Sequence, residues 1–106
     1  MTKKRHKKLL KATKGFRLLS SRVFSRAKNA WMKAWTNAFI GRKRKKRDFR
    51  RLWTVRINIA ARLNGTTYSK LINLLYTKKV NLNRKVLSNL AITNPKVFTN
   101  VVKYVK

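Results

Sequence analysis

Gly41-Arg42-Lys43-Arg44-Lys45-Lys46-Arg47-Asp48-Phe49-Arg50-Arg51-Leu52-Trp53 sets six consecutive cations between two segments of helical apolar spacing. Upstream, Phe24, Ala27, Trp31, Ala34, Trp35 and Ala38 recur at three- and four-residue intervals and form an amphipathic stripe. Downstream, Phe49, Leu52, Trp53, Ile57, Ala60 and Ala61 resume an apolar face, with Arg50, Arg51 and Arg56 around it. Ser20 or Ser21 can supply the N-cap, and Asn64-Gly65 is the next stop signal. Between them only Gly41 weakens the pattern, at about 1 kcal/mol relative to Ala. The spacing predicts one helix from Ser21 to Asn64, 44 residues and about 66 Å long. A helix of that length cannot bury its stripe within a chain of 106 residues, so it is expected to lie along something else. Six adjacent cations repel one another, and alone this segment is expected to fray or stay disordered.

Working outward, a first short helix is expected over about Lys3 to Lys14, ending at Gly15 in a left-handed cap. Past Asn64-Gly65 the pattern gives three short helices. Thr66 or Thr67 caps one carrying Leu71, Ile72, Leu74 and Leu75. Asn83 caps another with Val86, Leu87, Leu90 and Ala91. Thr93 or Asn94 caps the last, with Pro95 at the favoured first position and Val97, Phe98, Val101, Val102 and Val105 along one side. The fold class is therefore all-α: a long basic N-terminal helical extension, residues 1–56, followed by a small C-terminal helical domain, residues 57–106. The end of the long helix is expected to be the first member of the C-terminal cluster.

The charge follows the same division. Of 30 Lys and Arg, 21 fall at or before Arg56 and nine after it, against a single acidic residue, for a net charge of +29. A free domain of this size normally carries a net charge of magnitude roughly 2–8, and self-repulsion on this scale opposes compaction. The counter-charge must come from a polyanion. Most enzyme chemistry is excluded, because Asp48 is the only carboxylate side chain, His6 the only imidazole, and there is no cysteine. Paired-carboxylate catalysis, a catalytic triad and zinc or calcium cages all lack their raw material, and no cofactor is expected. His6 reads as an exposed polar residue or a phosphate neighbour, not a metal ligand. Asp48 lies four residues after Arg44 and three before Arg51, spacing that favours a local ion pair of modest energy. No apolar run approaches the ~18 residues of a membrane span.

Cations on every side of the run suit a helix threaded among phosphates of folded RNA, which meets anions all round. Arg bonds phosphate bidentately and stacks on bases, whereas Lys acts as a point charge. Arg47, Arg50, Arg51 and Arg56 are thus expected to make the more geometrically specific contacts. Phe49 and Trp53 read as core at the junction with the C-terminal cluster. Phe16 and Trp31 have less protein to pack on and are as well placed to stack on unpaired bases. Tyr68, after the Asn64-Gly65 turn, could pack or bind RNA. A DNA-architectural protein would show similar charge. A membrane-active amphipathic protein is disfavoured by the all-round cation run, and a two-metal nuclease by the single Asp.

Arg5-His6-Lys7-Lys8-Leu9-Leu10-Lys11, Lys14-Gly15-Phe16 and Ser21-Arg22-Val23-Phe24 resemble the start of the twentieth protein of the bacterial-type large ribosomal subunit. The more specific match is Lys45-Lys46-Arg47-Asp48-Phe49-Arg50-Arg51-Leu52-Trp53, followed by Arg56-Ile57-Asn58 and Ala60-Ala61-Arg62. It continues through Asn64-Gly65, Tyr68-Ser69-Lys70, Asn83-Arg84-Lys85-Val86-Leu87 and Leu90-Ala91, in order over nearly the whole chain. The resemblance implies a basic helical extension buried in large-subunit rRNA and a small C-terminal domain on the subunit's surface side. It also implies binding early in assembly, a structural role without catalysis, and neighbouring large-subunit proteins as partners. No membrane, small-molecule substrate or homo-oligomer is expected. The expected rRNA-binding residues are Lys3, Lys4, Arg5, His6, Lys7, Lys8, Lys11, Lys14, Phe16, Arg17, Arg22, Arg26, Trp31, Lys33, Arg42, Lys43, Arg44, Lys45, Lys46, Arg47, Arg50, Arg51 and Arg56.

Three departures from the family pattern carry expectations of their own. Only four residues precede the Arg5-His6-Lys7-Lys8 segment, where family members usually have a further basic stretch, so the deepest RNA contacts of the extension are expected to be lost or supplied by another protein. Gly41 replaces a helix-favouring or acidic residue, and a kink is expected there. The chain is rich in Lys and Asn and nearly free of acids, a drift that suits an AT-rich organelle genome. The Arg47-Asp48-Phe49-Arg50-Arg51-Leu52-Trp53 wording resembles plastid members, and mitochondrial ones are similar. A match that begins by Arg5 leaves no transit peptide, which fits synthesis inside the organelle or, alternatively, in bacterial cytoplasm.

Overall fold

The computed structural model describes residues 2–106, all of it helix, turn and loop. The order is α1 (Thr2–Ala12), a 3-10 turn (Leu18–Ser21), α2 (Phe24–Leu63), α3 (Tyr68–Thr77), α4 (Arg84–Thr93) and α5 (Pro95–Val105). By their internal contacts the residues group into two compact units, Met1–Arg44 and Lys45–Lys106, and α2 contributes to both.

In the first unit, α1 ends at Ala12 and the chain turns through Gly15, whose φ of +89° is the left-handed conformation expected there. Thr13 is fully buried, its hydroxyl donating to the Leu9 and Leu10 carbonyls. The long helix begins later than the spacing predicts. Ser20 and Ser21 lie in the 3-10 turn instead of capping α2, and the Ser21 hydroxyl donates back to the Leu18 carbonyl. With that oxygen facing backward, the helix starts at Phe24, and the Ala27 amide takes the Val23 carbonyl as its first partner. The helical assignment then continues unbroken through Gly41 and the whole cation run.

The second unit holds the hydrophobic core. Ile57 and Ala61 of α2, Leu71 and Leu75 of α3, Leu87 of α4, and Phe98, Val102 and Val105 of α5 are buried together. The end of α2 is thus the first wall of a four-helix cluster, as the spacing predicts. Asn83 accepts the Val86 amide at 2.9 Å and caps α4, as expected. Thr67 and Asn94 sit at the N-cap positions of α3 and α5, yet neither side chain makes a capping bond. For α3 the partner comes from another helix: the Tyr68 amide donates to Asn58 Oδ1 of α2. Tyr68 packs; its hydroxyl accepts from Arg84 Nε of α4 at 2.7 Å, so one residue, through its amide and its side chain, ties three helices.

Two helices of this unit end in the same hydrogen-bonded turn. After α2 the Thr66 amide reaches the Ala61 carbonyl and the Gly65 amide that of Arg62, with Gly65 at φ +74°. After α3 the Val80 amide reaches Leu75 and the Lys79 amide Tyr76, with Lys79 at φ +55°. This is the Schellman arrangement, which favours glycine at the left-handed position. Only the first site has one. Gly65→Ala should therefore lower, and Lys79→Gly raise, the stability of the second unit by about 1 kcal/mol each. Urea unfolding followed by helical circular dichroism measures both, and equal signs would contradict the turn geometry.

Candidate nucleic-acid interface

Cation placement follows the helices. Lys3, Lys4, Arg5, Lys7, Lys8 and Lys11 are exposed on α1, and Lys14, Arg17 and Arg22 are exposed in the connection to α2. On α2, Arg26, Lys33, the run Arg42–Arg47, Arg50 and Arg51 are exposed, while Arg56 is half-buried where the core begins. A helix turns about 100° per residue, so six consecutive cations leave no side of that segment neutral. No first turn of any described helix holds an acidic residue. Cations stand there instead, Lys3 and Lys4 on α1 and Arg84 and Lys85 on α4. That placement opposes the helix macrodipole, a cost of about 0.3–1 kcal/mol for each exposed charge.

Two rings among the expected RNA contacts are partly covered by the chain. The His6 ring stacks on Phe24, centroids 3.9 Å apart and planes 14° from parallel, so His6 is half-buried. Sequence spacing carried no sign of this stack, because the two residues meet only through the turn at Gly15. Phe16 is also half-buried.

Aromatic exposure on α2 is highest near its middle. Phe24 is half-buried and Ala27 buried, whereas Trp35 is 58% exposed and Phe39 is 57% exposed. Trp31 is exposed and meets Trp35 edge to face at 6.0 Å. Lys43 Nζ lies 5.4 Å from the Phe39 ring centre, within cation–π range. Phe49 does not join the core as its spacing suggests. It is 44% exposed and stacks on Trp53, centroids 6.2 Å apart, with Leu52 exposed beside them. The four core helices have closed around Ile57, about two turns beyond Phe49, leaving that ring outside.

Phe49, Leu52 and Trp53 form the floor of a groove of about 850 Å³ in the second unit. Lys45, Lys46, Arg47, Arg50 and Arg56 of α2 border it, and Lys85 and Asn89 enter from α4. Sequence reasoning did not assign Lys85 and Asn89 to a site. Their four-residue spacing puts them on one helix face, but only the packing of α4 brings that face to α2. Among the described residues no group of His, Cys, Asp or Glu could hold a metal ion, and no helix is long and apolar enough to cross a membrane.

These features define a class, the basic all-helical nucleic-acid-binding proteins. The sequence model of the family described as Ribosomal protein L20 matches residues 1–101. Large ribosomal subunit protein bL20 of Clostridium kluyveri (strain NBRC 12016) is 50% identical over 104 residues, covering 98% of this chain and 87% of the relative. The bL20 protein of Picosynechococcus sp. (strain ATCC 27264 / PCC 7002 / PR-6) is 50% identical over 106 residues, 100% of this chain and 91% of its own. Large ribosomal subunit protein bL20c of Rhodomonas salina is 50% identical over 103 residues, 97% and 89% respectively. The chain belongs to the ribosomal protein L20 family.

Proposed function

We propose that this chain is a structural constituent of the large ribosomal subunit that binds large-subunit rRNA directly and supports early subunit assembly. Residues 1–56 act as the rRNA-binding extension and residues 57–106 as the small helical domain that anchors it. The observation that carries the reading is the exposed all-round cation run on α2, flanked by aromatic rings that the chain leaves uncovered. Phosphates neutralise the first, and unpaired bases cover the second. The α1 cations, the connection residues Lys14, Arg17 and Arg22, and the α2 cations through Arg56 are the phosphate contacts. Trp31 stacks, and the less accessible Phe16 and His6 contribute at their exposed edges. Neighbouring large-subunit proteins are its other partners, with no membrane, small molecule or second copy of the chain required. The bL20c relative, together with the Lys- and Asn-rich composition, supports an organellar ribosome, a plastid one first; a bacterial cytoplasmic ribosome is the alternative.

Arg50→Ala with Arg51→Ala tests this directly. Both side chains are exposed, and charge-assisted hydrogen bonds contribute about 1.5–3 kcal/mol each. Affinity for large-subunit rRNA in filter binding should fall roughly a hundredfold or more, while the helical circular dichroism of the C-terminal domain stays intact. Loss of that signal would make both residues structural. In competition, structured rRNA should displace duplex DNA from the wild-type chain. The reverse preference would point to a DNA-architectural protein instead.

A further inference from the structure

The groove between α2 and α4 holds more than phosphate contact requires. Cations alone would hold a phosphate, yet this groove has an apolar floor of Phe49, Leu52 and Trp53. Phe49 and Leu52 remain substantially exposed in the folded chain. A volume of about 850 Å³ lies within the range of small-ligand sites. An apolar protein segment could cover the floor, but it would bury the cationic border without supplying an anion, which is costly. A nucleotide brings both parts, a flat apolar base face and an attached phosphate.

We propose that this groove receives a single unpaired nucleotide of the rRNA. The base stacks on the platform formed by Phe49 and Trp53. Its flanking phosphates lie against Arg50, Arg56 and Lys85, and the Asn89 amide, both donor and acceptor, bonds the base edge. This rests on the rRNA-binding reading above. The two rings sit four residues apart on α2 and already stack on each other, so the base adds to the platform and does not insert between them. Lys45 Nζ stands 5.9 Å from the Phe49 ring centre. The ammonium is a cation–π partner that covers the ring in the free chain, and the entering phosphate offers it a stronger partner, which frees the ring for the base. A paired base cannot fit, because its faces are covered by its neighbours in the stem. The target is therefore a bulge or loop. The site also needs α4 docked on α2, so it exists only in the folded second unit.

The test uses the full chain and two hairpin RNAs of identical stem sequence, one with a single bulged 2-aminopurine nucleotide. At fixed salt the bulged RNA should bind about tenfold more tightly, and its 2-aminopurine fluorescence should be quenched on binding. Phe49→Leu and Trp53→Leu should each erase both the preference and the quenching. Phe49 is on the surface, so its variant keeps the fold, as circular dichroism would verify, even if Trp53→Leu does not. Equal binding of the two RNAs by the wild-type chain, with strong salt dependence intact, would overturn the groove assignment and leave the rRNA-binding reading standing. Preference surviving in Phe49→Leu would overturn it as well. Failure to bind either RNA at low salt would overturn both together.

Discussion

Raising the salt from about 50 to 200 mM should weaken the complex of this chain with large-subunit rRNA by about 10⁴- to 10⁵-fold. The size follows from counterion release. If about ten phosphates are neutralised, log K falls against log salt with a slope of about −7 to −9. Ten is a modest demand on an exposed set that includes the whole run Arg42–Arg47, Arg50, Arg51 and the α1 cations. Replacing Arg42 through Arg47 by Gln should make the slope shallower by about 4 to 5, one unit or slightly less for each lost phosphate contact. Titrations in a salt series measure both. A wild-type slope near −1 or −2 would mean that base stacking or shape, not charge, holds the complex. The free chain should respond to salt in the opposite direction. Screening within a Debye length of about 10 Å at 0.1 M relieves repulsion among the six cations, so helical circular dichroism of the isolated protein should rise as salt is added. One variable thus loosens the complex and orders the free helix, a pairing that an ordinary globular binding domain would not show.

Periodicity carried most of the architecture because the chain has so few competing signals. Three glycines and one proline punctuate it, and Gly15, Gly65 and Pro95 each fall at a helix end where backbone preference is decisive. The cap residues were less legible. Ser20 and Ser21 have the right chemistry for capping, but the left-handed Leu18, φ +56°, commits the chain to a tight turn there. Thr67 makes no capping bond, and the first amide of α3 is held instead by Asn58, a partner ten residues back from Tyr68 that no local pattern reveals. Cations at the interface were readable one by one because exposure is the default for Lys and Arg. The groove was not. Phe49 and Trp53 share the spacing of core residues, and only the point at which α4 and α5 close over Ile57 decides that the first is left outside. Lys85 and Asn89 depend on the same packing event.

Phe98→Ala should remove most of the stability of the C-terminal helical core. Phe98 is the largest fully buried side chain, at 1% exposure, and it lies in the single cluster that joins α2, α3, α4 and α5. Truncating a buried Phe costs about 3–5 kcal/mol, the transfer free energy plus the cavity left behind. The second unit, Lys45–Lys106, has only about 3–9 kcal/mol of stability in total at about 0.05–0.15 kcal/mol per residue, and uncompensated charge lowers that further. The measurement is a large fall in, or loss of, the cooperative urea transition in helical circular dichroism at 25 °C, about the temperature at which these magnitudes apply. Phe39→Ala supplies the contrast. Its ring is more than half exposed on α2, with Lys43 beside it, so stability should move by less than about 0.5 kcal/mol. Its affinity for rRNA should still fall if the ring stacks on a base. The two substitutions remove the same side chain from the same small protein. If Phe98→Ala left the midpoint of the transition unchanged, the four-helix core would be wrong. If Phe39→Ala proved as destabilising as Phe98→Ala, the ring would be holding up the protein, and the uncovered aromatics of α2 would lose their claim to be a surface kept for RNA.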